Sequence, residues 1–175
     1  DEDIDAATWA LNEARTKRDF ISASFGGEGL EAFENDFAQF LQVDRVVSTN
    51  SGCAAIHVSL MAAGVKAGDE VIVSPYTWGQ TVSPILQTNA IPVFADIDPD
   101  TLNLDPKSVE EKISPYTSAI LVVHLFGGPA KMDEIMAIAE KHDLKVVEDC
   151  AQADGASYQG KRVGAWGHLG AFSIG

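Results

Sequence analysis

Apolar, β-branched runs alternate along the chain with segments whose apolar residues recur at helical spacing. Most of the runs are apolar throughout rather than alternating, which is typical of strands that helices cover on both faces. They therefore predict a sheet buried inside the protein. The predicted strands cover 45–49, 70–74, 91–97, 118–126, 144–149 and 170–174.

Helical patterns fill the segments between these strands. Pro106 directly after Asp105 marks a helix start, and Gly64 marks a helix end. Strand followed by helix, repeated along the chain, predicts right-handed crossovers and an α/β fold with three αβα layers around a mainly parallel sheet. Such sheets bind ligands at the carboxyl ends of their strands. The predicted helices cover 29–42, 53–64, 78–88, 105–113 and 130–142.

One more helix is predicted at about residues 5–18, ahead of the sheet. We expect residues 1–22 to form a helical arm that packs on a partner subunit, and residues 23–175 to form the ligand-binding domain. The chain does not begin with Met, which indicates a trimmed or partial chain.

Composition and charge narrow the class of protein. With 46% hydrophobic and 22% charged residues, the chain has the composition of a folded globular domain rather than a disordered one. Its net charge of −14 argues against nucleic acid as a partner, since holding a phosphate backbone requires clustered Lys and Arg.

The two cysteines, Cys53 and Cys150, are far apart and have no further ligand at metal-binding spacing, so we expect neither disulfide framework nor metal site. The acidic stretch 96–106 lacks the ligand spacing of an EF-hand. The first 20 residues contain no basic region that leads into an apolar one, and no apolar run reaches membrane-spanning length, so we expect a cytoplasmic protein with no membrane partner.

Four positions at the predicted carboxyl edge have the chemistry of a ligand site. The stretch "STNSGCAAIH" (48–57) leads from a strand into a helix, and the free amides of Gly52, Cys53 and Ala54 suit a phosphate, although small residues also favour ordinary turns. It lacks the G-x-G-x-x-G pattern of a dinucleotide site. Ser173, at the end of the last strand, can add a hydroxyl.

The other two positions are an acid and an aromatic residue. Glu148 and Asp149 end one strand and must face opposite sides, so one of them can reach a ligand crevice. A buried carboxylate there needs a cationic or hydrogen-bonding partner, such as a pyridinium nitrogen. Trp78 follows another strand and can stack on an aromatic ligand, although such a Trp is also a common core anchor. His124 is expected to be a core residue.

Five stretches in order give the sequence a resemblance to the DegT/DnrJ/EryC1/StrS family of sugar aminotransferases, which have fold type I and use pyridoxal 5'-phosphate. The resemblance covers about residues 20–175 and is most specific in the last stretch. It implies that residues 23–175 are the N-terminal part of the large, cofactor-binding domain, without its C-terminal part and the small domain. The stretches are "TNSGCAAIH", "GDEVIVSPYTW", "PVFADIDPDTLNLDP", "VVHLFGGPAKMDEI" and "VVEDCAQADGASYQGKRVGAWGHLGAFS".

The resemblance implies a role for each candidate. The turn at Cys53 and Ala54 and the Ser173 hydroxyl would hold the cofactor phosphate, with Cys53 in place of the more usual Thr. The remaining residues would surround the ring: Trp78 would stack on it, Asp149 would pair with its nitrogen and Gln152 would lie near its hydroxyl.

In the family, a lysine about five residues after the Ser binds the cofactor covalently, and the sequence ends two residues after Ser173. Lys161 lies in a predicted surface hairpin and does not fill this position. Three explanations remain open: a second chain that carries the rest of the fold, a shortened chain, or the way a modified lysine was recorded.

The resemblance implies an aminotransferase that moves an amino group from glutamate or glutamine to a keto-sugar, most often nucleotide-linked, or a keto-cyclitol, in a homodimer. Family members with His in the lysine position are sugar 3-dehydratases, which leaves that reaction as an alternative. A non-catalytic binding protein with the same fold is the third possibility.

Overall fold

The structure, a computed structural model, describes residues 2–16 and 27–174. The chain divides into two units, residues 1–48 and residues 49–175. The proposed boundary between arm and domain near residue 22 falls in 17–26, outside the described residues, and stays a prediction.

The first unit contains two helices, Glu2–Thr16 (α1) and Glu28–Leu41 (α2), where the sequence predicts helices. Along α2, Phe33, Phe37 and Phe40 stack in succession, with ring centroids 5.6 and 5.9 Å apart. The helix ends at Gln42, whose left-handed φ of 61° breaks the helical repeat.

The strand predicted at 45–49 is wrong, because these residues form no strand in the described chain. The Ser48 amide donates to Glu34 Oε1 at 2.7 Å instead of pairing with another strand. Val47 is 75% exposed, so this β-branched run has no buried face to hold it in a sheet.

The second unit alternates strands and helices. Its helices are Gly52–Ala62 (α3), Gly79–Gln87 (α4), Pro106–Lys112 (α5) and Met132–His142 (α6), with a 3-10 turn at Leu125–Gly127. Its strands are Glu70–Val73 (β1), Ile91–Phe94 (β2), Thr117–Val123 (β3), Lys145–Asp149 (β4), Ser157–Tyr158 (β5), Lys161–Arg162 (β6) and Leu169–Ala171 (β7). The other predicted strands and helices are confirmed, with ends that differ by up to three residues.

Five strands form one parallel sheet in the order β2-β1-β3-β4-β7, while β5 and β6 form the small hairpin expected around Lys161. The register pairs Val123 with Asp149 and Asp149 with Ala171, so neighbouring strands end at the same level. The carboxyl ends therefore meet along one edge, as the crossovers predict.

Helices cover both faces of this sheet, which explains why its strands are apolar without alternation. One face packs against α5 and α6, the other against α3 and α4. The first core contains Ile72, Ile120, Val122, Val146, Val109 and Ile135, and the second contains Val71, Val73, Leu121, Val147, Ile56, Leu60 and Ile85. The three-layer α/β architecture is confirmed.

The helix signals in the sequence act as predicted. Asp105 Oδ1 accepts from the Lys107 amide at 3.1 Å, with Pro106 in the first turn of α5. Gly64 follows α3 with a φ of 90°, a conformation that favours glycine. None of the helices described in 2–16 and 27–174 is long and apolar enough to cross a bilayer.

Replacing Gly170 by Ala is expected to lower the free energy of unfolding by about 2 kcal/mol, since the added Cβ would overlap the Gly164 carbonyl oxygen. Gly79→Ala is the matched control, because a Cβ there meets nothing within 4 Å. Urea unfolding of the full-length protein measures both, and equal effects of the two substitutions would contradict the packing described for β7.

Candidate functional site

A cleft of about 370 Å³ opens at the carboxyl edge of the sheet. Its walls come from the turn before α3, the start of α4, the ends of β3 and β4, and the residue two positions after β7. It brings together most of the residues singled out in the sequence. These are Gly52, Cys53, Trp78, Asp149, Gln152 and Ser173, whereas Ala54 does not line it.

One end of the cleft is the amino terminus of α3. A Cβ on Gly52 would lie 2.9 Å from Ser173 Cβ, so only glycine lets the chain after β7 come this close to the helix. Among the described residues, the amides of Gly52 and Cys53 donate to no protein acceptor. These amides and the helix dipole favour an anion beside the Ser173 hydroxyl.

The Ala54 amide is not free, contrary to the expectation from the sequence. It donates to Ser51 Oγ at 3.2 Å, because Ser51 is the N-cap of α3. The sequence contains this signal, since a Ser just before a helix start is a common cap.

Asp149 lies at the end of β4 and is only 5% exposed. Its Oδ2 accepts from the Thr81 hydroxyl at 2.7 Å, and its Oδ1 accepts from the Ala151 amide at 3.1 Å. No Lys or Arg of the described chain forms an ion pair with it. Because two carboxylate oxygens offer about four acceptor positions, the buried anion keeps capacity for a cationic donor in the cleft.

Sequence reasoning missed Thr81 and Thr77, which also line the cleft. Thr81 is the third residue of α4 and is buried, and Thr77 Oγ1 lies 2.9 Å from its Oγ1. Their spacing of four places them on one side of a helix start, a signal the sequence does contain.

Trp78 and Gln152 flank Asp149 in the cleft. Trp78 directly precedes α4 and is 67% exposed, so its ring is open to a ligand rather than anchored in the core. Gln152 Oε1 accepts from the Phe126 amide at 2.8 Å. Because an amide N–H can only donate, this contact fixes the side-chain orientation and leaves Nε2 as a donor toward the cleft.

Glu148 points to the other side of β4, as strand alternation predicts, and is fully buried. Its oxygens accept from the amides of Gly164 at 2.8 Å and Gly167 at 2.6 Å, and from His124 Nε2 at 2.9 Å. His124 Nδ1 accepts from the Ala130 amide at 3.1 Å, so the proton of the neutral ring is on Nε2. His124 is a core residue, as expected.

Cys150 completes a buried cluster with His124 and Glu148 in which one potential ligand atom from each residue lies within 4.8 Å of the others. Burial, with a smaller contribution from the Glu148 and Asp149 charges, raises the pKa of the Cys150 thiol well above its usual value. The His124 and Glu148 atoms of this cluster already have hydrogen-bond partners in the protein, so these two residues form a buried structural network.

One cleft at the edge of a parallel sheet contains an anion-binding helix end, an exposed indole and a buried acid. These features define a ligand-binding domain of the α/β class. The chain belongs to the DegT/DnrJ/EryC1/StrS aminotransferase family, whose model matches residues 3–174.

Known proteins similar to this chain include aminotransferases and, at 34% identity, a GDP-4-keto-6-deoxy-D-mannose-3-dehydratase of E. coli. The chain is 46% identical over 170 residues to an L-glutamine:2-deoxy-scyllo-inosose aminotransferase of Micromonospora echinospora, covering 94% of this chain and 40% of that protein. The structure of an aminotransferase from Psychrobacter cryohalolentis matches with a TM-score of 0.88 at 39% identity, covering 94% of this chain and 41% of the other.

Another similar structure is described as ntda from Bacillus subtilis with bound cofactor pmp. It has a TM-score of 0.84 and 35% identity, covering 94% of this chain and 37% of that one. The chain thus spans about 40% of the length of the curated relatives it matches.

Glu148→Gln is expected to lower the free energy of unfolding by about 3 kcal/mol, because three buried donors would face one amide oxygen and one NH2 group. Glu110→Gln removes an exposed carboxylate that pairs with Lys141 and His142, and should leave the unfolding midpoint nearly unchanged. Urea unfolding compares the two, and a small effect at Glu148 would contradict the network.

Proposed function

We propose that this cleft binds pyridoxal 5'-phosphate and that the protein containing this chain is an aminotransferase. In the proposed reaction, an amino group moves from glutamine or glutamate to a keto-cyclitol or a keto-sugar. The observation that carries the proposal is the buried Asp149 carboxylate, which lines the cleft and forms no ion pair within the described chain. A protonated pyridine nitrogen is a partner of the right charge and hydrogen-bonding type.

The groups of the cleft fit the three chemical parts of this cofactor. The free amides of Gly52 and Cys53, with the Ser173 hydroxyl held beside them, suit a phosphate. The exposed face of Trp78 suits an aromatic ring. Asp149 suits a cationic ring nitrogen in the same cleft.

Each of these residues has a task when the cofactor is bound. The cofactor supplies an electron sink that lets an amino group pass between two substrates. Asp149 holds the proton on the ring nitrogen, and Trp78 covers one ring face. Gln152 donates its Nε2 proton to a ring oxygen, because its Oε1 already accepts from Phe126. Cys53 adds only a weak thiol donor, so the backbone amides carry most of the phosphate binding.

The family resemblance places the covalent lysine about five residues after Ser173, a position that this sequence does not include. That position also separates the proposed aminotransferase from a sugar 3-dehydratase, which has His there. Relatives named as aminotransferases, at 43–48% identity, favour the aminotransferase.

The names of the same relatives support the choice of substrates. Six of them are L-glutamine:2-deoxy-scyllo-inosose aminotransferases, so we assign glutamine as the preferred donor and a keto-cyclitol as the preferred acceptor. A nucleotide-linked keto-sugar is the second acceptor class to test. The family resemblance further supports a cytoplasmic homodimer with its site at the subunit interface.

Full-length protein mixed with pyridoxal phosphate is expected to develop near-ultraviolet and visible absorbance bands of the bound cofactor. Adding L-glutamine should convert the band of the aldehyde form into that of the amine form, and adding a keto-cyclitol should reverse the change. Incubation with a nucleotide-linked keto-sugar compares the two acceptors. A spectrum equal to that of free cofactor, unchanged by either amino donor, would contradict the proposed function.

Asp149→Asn is expected to lower the rate of amino transfer at least about hundredfold, because the amide keeps the shape but loses the charge that holds the ring proton. Asp149→Ala should in addition weaken cofactor binding. Asp154→Asn is the matched control, because it neutralises a nearby exposed acid outside the cleft. Transamination rates measure all three, and equal activity of the Asp149 and Asp154 variants would refute the assigned role.

A further inference from the structure

We propose that Thr81, supported by Thr77, is a positioning residue that fixes the plane of the Asp149 carboxylate before a ligand arrives. This inference rests on the proposed function, since it concerns how that carboxylate meets a protonated ring nitrogen. The two threonines form a short hydroxyl relay, Thr77 to Thr81 to Asp149, along the wall of the cleft.

The direction of the relay follows from counting protons. Thr81 has one hydroxyl proton and directs it at Asp149 Oδ2, 2.7 Å away. In the 2.9 Å contact between the two hydroxyls, Thr77 must therefore be the donor. Donation by Thr77 polarises the Thr81 hydroxyl and strengthens its bond to the carboxylate.

The carboxylate is held on both of its oxygens. The Thr81 hydroxyl, on α4, donates to Oδ2. The Ala151 amide, in the chain that follows β4, donates to Oδ1 at 3.1 Å. The second side-chain torsion of Asp is otherwise broad, so a single contact would leave the carboxylate free to rock. Two donors on separate elements hold one orientation and leave acceptor positions for a third donor.

The relay lies in a buried part of the cleft, which strengthens the effect of losing one of its hydroxyls. Thr81 is 2% exposed and Asp149 is 5% exposed, so water does not replace a lost hydroxyl easily. The relay also joins two parts of the cleft, because Trp78, the residue just before α4, lies between Thr77 and Thr81 in the chain. The turn that presents the indole therefore also orients the acid.

The test measures binding rather than turnover. The full-length protein is titrated with pyridoxal phosphate and with its deaza analogue, in which C–H replaces the ring nitrogen while the phosphate and aldehyde remain. The ratio of the two dissociation constants isolates the contact between Asp149 and the ring nitrogen. Wild type should prefer pyridoxal phosphate, and Thr81→Val should reduce this preference about tenfold.

Three further variants separate positioning from folding. Thr81→Ser keeps the hydroxyl and should retain the preference within about threefold. Thr77→Val removes only the donor to Thr81 and should give an intermediate loss, which carries the test if Thr81→Val does not fold. Ser83→Ala is the control, because it deletes an exposed hydroxyl bond to Gly79 on the same helix.

The outcomes distinguish the two proposals. A Thr81→Val protein that loses affinity for both ligands equally has a structural role only, and the inference is then wrong. An unchanged ratio in Thr81→Val, or in Thr77→Val if that variant must carry the test, also overturns it. If wild type binds both ligands equally, the contact between Asp149 and the ring nitrogen is absent and the positioning role alone is wrong. If wild type binds neither ligand, the proposed function fails, and the positioning role fails with it.

Discussion

Two carboxylates buried next to each other at the end of β4 impose the constraint on which the rest of the second unit depends. Removing an anion from water costs several kcal/mol, so each must receive compensating donors. Glu148 obtains them from two backbone amides and His124. Asp149 receives a hydroxyl and one amide, and keeps acceptor capacity that faces the cleft.

This difference divides the roles of the two acids. The donors to Glu148 come from the segments at 124 and 164–167, so its charge holds together loops beside the sheet edge. The segment at 164–167 leads into β7. Its first residue, Gly164, packs against Gly170 in β7 and against Phe172, the residue just before Ser173. A satisfied acid on one side of the strand thus supports the site to which the other acid contributes.

Much of the fold could be predicted because its signals are local. Continuous apolar runs, the Pro106 helix start and Gly64 at a helix end each depend on a few neighbouring residues. The strand prediction at 45–49 failed because local residues do not decide there. β-branched residues favour a strand only where a partner strand and a buried face exist. Ser48 has neither, and its amide binds Glu34 instead.

The sequence alone determined the order of the main strands and helices after residue 49, the parallel sheet and the opposed directions of Glu148 and Asp149, because strand alternation and helix spacing are properties of the chain itself. Only the tertiary structure decided that Thr81, 68 residues before Asp149, donates to it, and that Ser173 lies against Gly52. Contacts between residues distant in sequence depend on how helices pack on the sheet, and packing distances leave no periodic mark along the chain.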